Sequence, residues 1–392
     1  MQMTHDEVYG IYPNSYMQFR PALTRFPIIF NVSGDCVVGN GSGYDIDAVH
    51  GAMGEYIERY HFYNEVDINI TAELDKLNPS IVVDKLVRLI EQIKKSDEPI
   101  DSYQFDLSET RNIFTNQKIY LPSVMISLAH SDSNDRNFIP FIDSCGQSVH
   151  VSREQAFSAS LKEFIERQSL VGSWLSGKAR FKILLEPHPD LGQSNKILSE
   201  LQQNGVVCAY ELNELLPGYS VLIFYFSLGT NDKVQYSVGM ASDLTPASAI
   251  SRALNELWQS YIFMYLNASN PESLDPRYEY LNHLISFNNL ETQKVIPFFA
   301  QPSNEIKMDT FIHLSPFTEK ECLRSLVDIS PHIYSYERSN DLFGRQFHFC
   351  KITSPDFFLH MGLAKPLNFS NHYANLLSIN PDNVIKSSIP FP

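Results

Sequence analysis

The sequence predicts an α+β protein with mixed sheets, and two observations lead to this expectation. Apolar runs of strand length alternate along the 392 residues with segments of helical periodicity. A charged helical phrase also occurs twice, as EYIER at 55–59 and EFIER at 163–167, with an offset of 108 residues. No low-complexity segment or evident linker divides the chain. We therefore expect a single domain, residues 1–392, built from related layers.

The first helix predicted along the chain contains AMGEYIERYHF at 52–62. Its apolar residues follow the i, i+3, i+4 spacing of one buried helical face: Ala48, Val49, Ala52, Met53, Tyr56, Ile57 and Tyr60. Glu55 and Glu58 lie three residues apart and off this apolar stripe, so they are neighbours on the opposite face.

Two further segments repeat this helical arrangement, at 160–170 and, more loosely, at 253–263. In the second helix the acidic positions are Glu163 and Glu166, which stand off a stripe that includes Leu161 and Phe164. In the third helix, ALNELWQSYIF, the two positions are occupied by Glu256 and Gln259. Three similar helices about 100 residues apart are thus predicted to be related in structure.

The amino-acid composition of other segments predicts further strands, loops and a helix. Strand-like apolar runs occur at 118–129 (KIYLPSVMISLA), 219–228 (YSVLIFYFSL) and 294–300 (KVIPFFA). Segments 186–195 and 267–276 are rich in Pro, Ser, Asn and Asp and are predicted to be loops. The aromatic segment SYIFMYL, 260–266, is predicted to be buried helix.

The repeated glutamates admit two readings. Glutamates on one helix usually form a solvated face, but a solvated face gives no reason to repeat Glu-x-x-Glu-Arg at two distant places. Paired carboxylates can hold a divalent cation, and Mg²⁺ is commonly shared between carboxylates and substrate phosphates. Convergence of two or three such helices would form a carboxylate-lined metal pocket, with nearby arginines free to contact phosphate oxygens.

Charge and cysteine content narrow the class of protein. The net charge of −15, with no offsetting basic run, argues against partners such as bare nucleic acid or an anionic membrane surface. No apolar run approaches the about 18 residues of a membrane span, and no secretory signal begins the chain. Five widely spaced cysteines without a CxxC argue against a disulfide framework or a structural zinc site. A reducing bacterial cytoplasm is the expected location.

Taken together, five segments resemble one known family. They are GAMGEYIERYHFYNE (51–65), the run 143–179 that contains SLKEFIERQSL, NELWQSYI (255–262), KITSPDFFLHM (351–361) and the terminal PFP (390–392). In this order they resemble the YcaO family, ATP-dependent enzymes that modify peptide backbones. The resemblance extends from about residue 40 to the end of the chain, and it implies a YcaO-type fold whose three related helices line an ATP pocket.

The resemblance also implies a reaction. In the family's cyclodehydratases, the side chain of Cys, Ser or Thr in a ribosomally made precursor attacks the preceding amide carbonyl. ATP then phosphorylates the former amide oxygen, and loss of phosphate leaves a thiazoline or oxazoline ring. Phosphorylation is needed because an amide oxygen is a poor leaving group, so catalysis consists mostly of positioning and charge stabilisation.

Partners are implied in the same way. The chain is expected to be the stand-alone catalytic subunit of a synthetase that makes azole-containing peptide antibiotics. A separate leader-binding subunit, E1-like or with a peptide clamp, would hold the precursor peptide. An FMN-dependent dehydrogenase subunit would oxidise azolines to azoles.

Site residues follow by position within the matching segments. The family's magnesium-binding carboxylates correspond to Glu55, Glu58, Glu163 and Glu166. Its arginines near the nucleotide phosphates correspond to Arg167, which is also expected to be catalytic, and to Arg252. The third helix contributes Glu256 and Gln259 to the nucleotide site. The family often ends in a proline-rich tail that reaches the active site, which makes the carboxylate of Pro392 a candidate base.

The chain departs from the family pattern at a few places. Relatives often have Gly-Lys-Gly at 39–41 and Ser-Asn-Gly at 144–146, where this chain has Gly-Asn-Gly and Ser-Cys-Gly. GNGSG at 39–43 is interpreted as a flexible turn near the nucleotide, since no Gly-Lys-Ser/Thr follows it. Cys145 is interpreted as a small residue in a tight turn, and His50, His61 and His150 as core or surface histidines.

Two other functions stay open from the sequence alone. The same fold could activate an amide for attack by an amine or by sulfide, which would form an amidine or a thioamide. The chain could instead be a non-catalytic scaffold subunit of the same complex. The intact carboxylate pairs argue against a scaffold, because a protein without turnover does not need them.

Overall fold

A computed structural model of the chain describes residues 16–20, 26–34, 37–44, 46–129, 133–267, 285–300, 304–342, 344–362, 367–382 and 389–391. Helices and strands are both abundant within these ranges, so the predicted α+β class is confirmed. Among the described helices, none combines the length and the apolar character that crossing a membrane requires.

The strands within the described ranges form three sheets. Their bounds are β1 (Tyr16–Arg20), β2 (Ile28–Gly34), β3 (Val37–Gly43), β4 (Ile70–Ala72), β5 (Phe105–Asn112), β6 (Lys118–Pro122), β7 (Gln147–His150), β8 (Phe181–Leu184), β9 (Gly205–Glu211), β10 (Tyr219–Ser227), β11 (Tyr236–Asp243), β12 (Glu305–Lys307), β13 (Tyr334–Leu342) and β14 (Arg345–Thr353). One sheet has the order β1-β2-β3, and a second has the order β11-β10-β9-β8-β12. The third has the order β4-β5-β13-β14-β7, with β6 paired to β5. Most neighbouring strands are antiparallel, but β12 runs parallel to β8.

The helices pack against these sheets. Their bounds are α1 (Ile46–Asn64), α2 (Ser80–Ile93), α3 (Arg153–Ser176), α4 (Ser194–Asn204), α5 (Pro246–Asn267), α6 (Met308–Ile312), α7 (Glu319–Ile329) and α8 (His372–Leu376). The strand β10, second from one edge of the five-stranded sheet, is buried along its whole length. Leu222 and Phe224 face the core that contains α3, whereas Val221 and Ile223 face the core that contains α4 and α5. The five-stranded sheet therefore separates α3 from α5.

The three related helices each belong to a strand–helix unit. In each unit two residues separate the end of the strand from the start of the helix, as in β3–α1, β7–α3 and β11–α5. Two of the strands approach their helices so closely that only glycine fits. A Cβ on Gly41 would lie 2.1 Å from the carbonyl oxygen of Ala48, and a Cβ on Gly239 would lie 2.1 Å from the main-chain nitrogen of Leu257.

Several local expectations need correction. GNGSG is not a flexible turn, because residues 39–43 lie within β3 and pair with β2. The predicted strand at 294–300 is instead two short 3₁₀ segments, Leu290–Val295 and Pro297–Ala300, and Pro297 has no N–H to donate to a sheet. The strand at 118–129 ends at Pro122 and continues as a 3₁₀ turn.

Other local expectations agree with the structure. Residues 219–228 include β10, as predicted. Segment 186–195 begins as a loop that contains a short 3₁₀ turn, Pro189–Leu191, and its last two residues are the first two of α4. Segment 260–266 is helical as predicted, but the expected burial holds only for Ser260 and Met264, while Tyr265 and Leu266 near the end of α5 are exposed. The predicted loop at 267–276 lies almost entirely outside the described residues.

Candidate functional site

The first pair of glutamates projects from α1 toward the interior. Glu55 accepts a hydrogen bond from the main-chain N–H of Asn40 on β3 at 2.5 Å and forms an ion pair with Arg59 at 2.5 Å. Burial raises the pKa of Glu58 to about 8, and the neighbouring charge of Glu55 adds to this shift. Neither carboxylate therefore lies on an open solvated face.

The second pair projects from α3. Glu166 is buried, and it accepts a hydrogen bond from the main-chain N–H of Ser242 on β11 at 2.9 Å. Burial raises the pKa of Glu163 well above its usual range, and the charges of Glu58 and Glu166 act in the same direction. Nε of Arg167 lies 3.6 Å from a carboxylate oxygen of each α3 glutamate. Burial alone would lower the pKa of Arg167, but the two carboxylates raise it.

The third helix contributes one carboxylate. Glu256 on α5 accepts a hydrogen bond from the main-chain N–H of Met240 at 3.0 Å. Burial raises its pKa to about 7, and Glu166 adds to the shift. Arg252 donates to the carbonyl oxygen of Ser242 at 3.0 Å and to the carboxylate of Asp243 at 2.9 Å.

The three helices thus bring their acidic positions into one cluster. The carboxyl groups form a chain of electrostatic neighbours. The charge of Glu58 raises the pKa of Glu163, the charge of Glu166 also raises the pKa of Glu163, and Glu166 raises the pKa of Glu256. Carboxylate oxygens are the ligands that Mg²⁺ prefers, so the donor set fits that metal. Gln259 lies one helical turn beyond Glu256 and is half-buried.

A comparison with known protein families adds the decisive observation. Residues 40–332, which include all three helices of the cluster, match the family described as YcaO cyclodehydratase, ATP- and Mg²⁺-binding. The chain belongs to the YcaO family. The resemblance found in the sequence is thereby confirmed.

Individual relatives support this YcaO assignment. The chain is 28% identical over 364 residues to the microcin B17-processing protein McbD of Escherichia coli, across 90% of each chain. It is also similar to a chain of the E. coli microcin synthetase McbBCD complex, with a TM-score of 0.85, 28% identity and 96% of each chain covered. The same complex with pro-MccB17 bound gives a TM-score of 0.85 at 27% identity.

A more distant YcaO structure shares the fold. The YcaO protein of Methanopyrus kandleri, bound with AMPPCP and Mg²⁺, has a TM-score of 0.58 at 16% identity and covers 90% of this chain. The predicted YcaO-type α+β fold is therefore confirmed.

Sequence reasoning missed a lysine beside the glutamate cluster. Lys351 on β14 is buried and donates to the carbonyl oxygens of Asp143 at 2.7 Å and Ile126 at 3.3 Å. Burial lowers its pKa to about 8, and its charge opposes the upward pKa shift of Glu58. The sequence offered one clue to this lysine, because Lys351 begins KITSPDFFLHM, one of the segments that resemble the family.

The main-chain donors of the cluster were also missed. Asn40 and Met240 occupy corresponding places in two of the strand–helix units. Asn40 donates its N–H to Glu55 of α1, and Met240 donates its N–H to Glu256 of α5. The side-chain oxygen of Asn40 accepts a hydrogen bond from the amide nitrogen of Asn31 on β2. The contribution of residue 40 to Glu55 comes from the main chain and does not depend on a basic side chain.

The C-terminal segment, as far as it is described, reaches Arg167 beside the glutamate cluster. The guanidinium of Arg167 lies over the ring of Phe391, 5.1 Å from its centroid. The hydroxyl of Tyr236 donates to the carbonyl oxygen of Pro390. Both Ile389 and Phe391 are buried. Pro392, the predicted base, lies outside the described residues.

The structure agrees with the non-catalytic interpretations predicted for the cysteine and the histidines near the motifs. Cys145 precedes Gly146, whose φ of +70° and close approach to the carbonyl oxygen of Ile352 define a tight turn. Burial raises the pKa of the Cys145 thiol, which does not suit a nucleophile. His61 is a core residue stacked on Phe349, with ring centroids 3.9 Å apart. His50 is exposed and His150 is half-buried.

Proposed function

We propose that this chain catalyses the ATP- and Mg²⁺-dependent cyclodehydration of Cys, Ser or Thr residues in a ribosomally made precursor peptide, forming thiazoline or oxazoline rings. The observation that carries this proposal is the convergence of Glu55, Glu58, Glu163 and Glu166 beside Arg167. A cluster of carboxylates of this kind repels a polyphosphate unless cations lie between the carboxylates and the phosphates. It therefore suits a metal–nucleotide complex.

We assign the residues to roles from their positions. Glu55, Glu58, Glu163 and Glu166 hold Mg²⁺, while Glu256 and Gln259 border the nucleotide. Arg252, about half exposed, suits contact with phosphate oxygens, since its guanidinium has further donors beyond those used by Ser242 and Asp243. When bound, the metal–nucleotide complex supplies the phosphoryl group that makes the former amide oxygen a leaving group.

Arg167 is the residue best placed to stabilise charge. It is held between two carboxylates and the Phe391 ring, so its guanidinium is oriented before substrate arrives. A preorganised cation needs no reorganisation when negative charge develops on the reacting oxygen. We assign it the role of binding the transferred phosphoryl group.

We propose that the C-terminal carboxylate of Pro392 acts as a base during ring closure. Its neighbours support this role: Phe391 packs on Arg167, and the hydroxyl of Tyr236 fixes the carbonyl oxygen of Pro390. A terminal carboxylate has a pKa of about 3.5, so it is ionised at neutral pH and ready to accept a proton.

We propose that the chain works as the cyclodehydratase subunit of a peptide-antibiotic synthetase. McbD, with which it shares 28% identity, belongs by name to microcin B17 processing, and the similar McbBCD complex is known with pro-MccB17 bound. Its partners would be a precursor peptide, a leader-binding subunit and an FMN-dependent azoline dehydrogenase. The reducing cytoplasm is the proposed compartment, consistent with the free thiols of Cys145, Cys208, Cys322 and Cys350.

The mass of the precursor tests this proposal. A candidate precursor is incubated with the chain, its partner subunits, ATP and Mg²⁺, and each ring formed removes one water, followed by two hydrogens where oxidation occurs. Arg167→Lys should abolish the mass change while ATP binding persists, and Glu154→Gln, an exposed change on the same helix, should not. A product that gains sulfur in place of oxygen would indicate a thioamide, and ring formation that persists with Arg167→Lys would indicate a scaffold.

A further inference from the structure

Two histidines and an aspartate meet on the surface at the β12 edge of the five-stranded sheet. His188 precedes the short 3₁₀ turn Pro189–Leu191, whereas Asp309 lies in α6 and His313 directly follows that helix. Asp309 and His313 are spaced i, i+4, which places two side chains on one face of a helical turn. The cluster is separate from the glutamates, because none of its members lies on α1, α3 or α5.

The spacing of the three side chains suits a tetrahedral metal ion. Nε2 of His188 lies 3.5 Å from Oδ1 of Asp309, and Nδ1 of His313 lies 3.6 Å from the same oxygen. One ligand atom from each residue lies within 4.8 Å of the others. In the described arrangement Nδ1 of His313 also donates to the main-chain carbonyl oxygen of Asp309 at 2.7 Å, and metal binding would break this bond. Ligands about 2.0–2.1 Å from a tetrahedral zinc ion are about 3.3 Å apart, so rotation of the His313 ring and small shifts of the other two side chains would complete three ligand positions.

Neighbouring groups can orient the first histidine as a ligand. A metal at Nε2 of His188 requires the ring proton on Nδ1, and the carboxylate of Asp190 lies 3.8 Å from that nitrogen. Metal-binding histidines commonly donate their other N–H to such a carboxylate. In the described arrangement the main-chain N–H of Asp190 donates to Nδ1 at 3.3 Å, and metal binding would exchange this bond for one to the carboxylate.

We propose that His188, Asp309 and His313 form a zinc-binding site, with water in the fourth position. Imidazole nitrogens favour Zn²⁺ over Mg²⁺, which prefers oxygen ligands, so the two metals would separate between this site and the glutamate cluster. The site contains no cysteine, and for that reason a search of the sequence for cysteine pairs does not reveal it.

Such a site would stabilise a specific contact. Leu191, three residues after His188, is buried in the core that contains Ile250, Ala253 and Leu257 of α5. Zinc would join the loop that carries Leu191 to α6, and so would hold that loop against the helix that carries Glu256. The expected effect is on stability and metal content and is independent of ring formation.

Titration calorimetry of the full chain with ZnCl₂ tests the site. Excess Mg²⁺ is present throughout to occupy the glutamate cluster. The unaltered chain should bind one Zn²⁺ that His188→Ala, Asp309→Asn and His313→Ala each weaken by tenfold or more. His372→Ala, which removes an exposed histidine elsewhere, should leave the isotherm unchanged.

Two further measurements make the result decisive. Co²⁺ in place of Zn²⁺ should give the intense visible absorption of a tetrahedral site, and the three cluster variants should lose it. Zn²⁺ should raise the unfolding temperature of the unaltered chain but not that of the variants. Zinc isotherms that are the same for all these proteins, or cobalt spectra of an octahedral ion, would overturn the proposal.

Discussion

Binding of the metal–nucleotide complex should release protons from the glutamate cluster. Burial raises the pKa of Glu58 to about 8, so at pH 7 about 0.9 proton occupies this carboxyl before metal binds. A carboxylate must lose its proton to coordinate Mg²⁺, so binding expels that proton. For this group alone, lowering the pH from 8 to 6 should weaken metal-dependent binding by about 50-fold. Glu256, with a pKa raised to about 7, contributes in the same direction if it also ionises on binding.

The proton count can be measured by calorimetry at pH 7. The nucleotide is titrated in the presence of Mg²⁺ in buffers of different ionisation enthalpy, and the slope of observed enthalpy against ionisation enthalpy gives the protons released. Comparison with Glu58→Gln cancels protons that come from the nucleotide itself. The variant should release about 0.9 proton fewer than the unaltered chain.

Glu154→Gln is the matched control for this measurement. Glu154 is an exposed residue in the first turn of α3, outside the cluster, so this variant should release as many protons as the unaltered chain. Equal proton release by Glu58→Gln and the unaltered chain would refute the reasoning. It would mean that Glu58 is already ionised before metal binds, or that it does not take part in binding.

Three further predictions follow from contacts in the structure. Glu166→Gln keeps the size of the side chain but removes a charge from the cluster. Ring formation should therefore fall by about 10²–10³-fold while the thermal unfolding temperature stays unchanged. Normal turnover by this variant would show that Glu166 has only a structural role. Gly41→Ala places a Cβ 2.1 Å from the carbonyl oxygen of Ala48 and should lower the free energy of unfolding by about 1–3 kcal/mol in urea titrations. Gly54→Ala on α1 meets no atom within 4 Å, so it should leave stability unchanged or higher, and equal losses for the two variants would contradict the packing argument. Deletion of residues 390–392, or addition of a C-terminal tag, should lower the rate of cyclisation far more than the affinity for ATP. Precursor mass measures the first and calorimetry the second. If a tagged chain cyclises the precursor at the untagged rate, the C-terminal tail contributes only to packing.

Elements with a strong local pattern were predictable from the sequence. The apolar stripes of α1, α3 and α5 follow helical periodicity, and that periodicity places the acidic residues off the stripe without knowledge of the partner sheet. The uninterrupted apolar run of β10 likewise indicates a strand buried on both faces. In these cases local propensity and tertiary packing favour the same structure.

Segments with weak or ambiguous patterns were decided by tertiary contacts. Glycine-rich composition at 39–43 favours a turn when read locally, but pairing with β2 and close packing on α1 make it a strand. At 294–300 the apolar residues suggest a strand, yet Pro297 interrupts the donors that a strand needs, and the segment packs as short 3₁₀ turns.

The sequence by itself determined the fold class, the three helices, the family resemblance and the identity of the acidic residues. Only the tertiary structure decided their surroundings: the N–H of Ser242 that meets Glu166, the buried Lys351, and the burial that raises the carboxyl pKa values. The physical reason is the range of the interactions. Helical periodicity acts over a few residues, whereas desolvation and charge coupling depend on groups that lie far apart in the chain and meet only after folding.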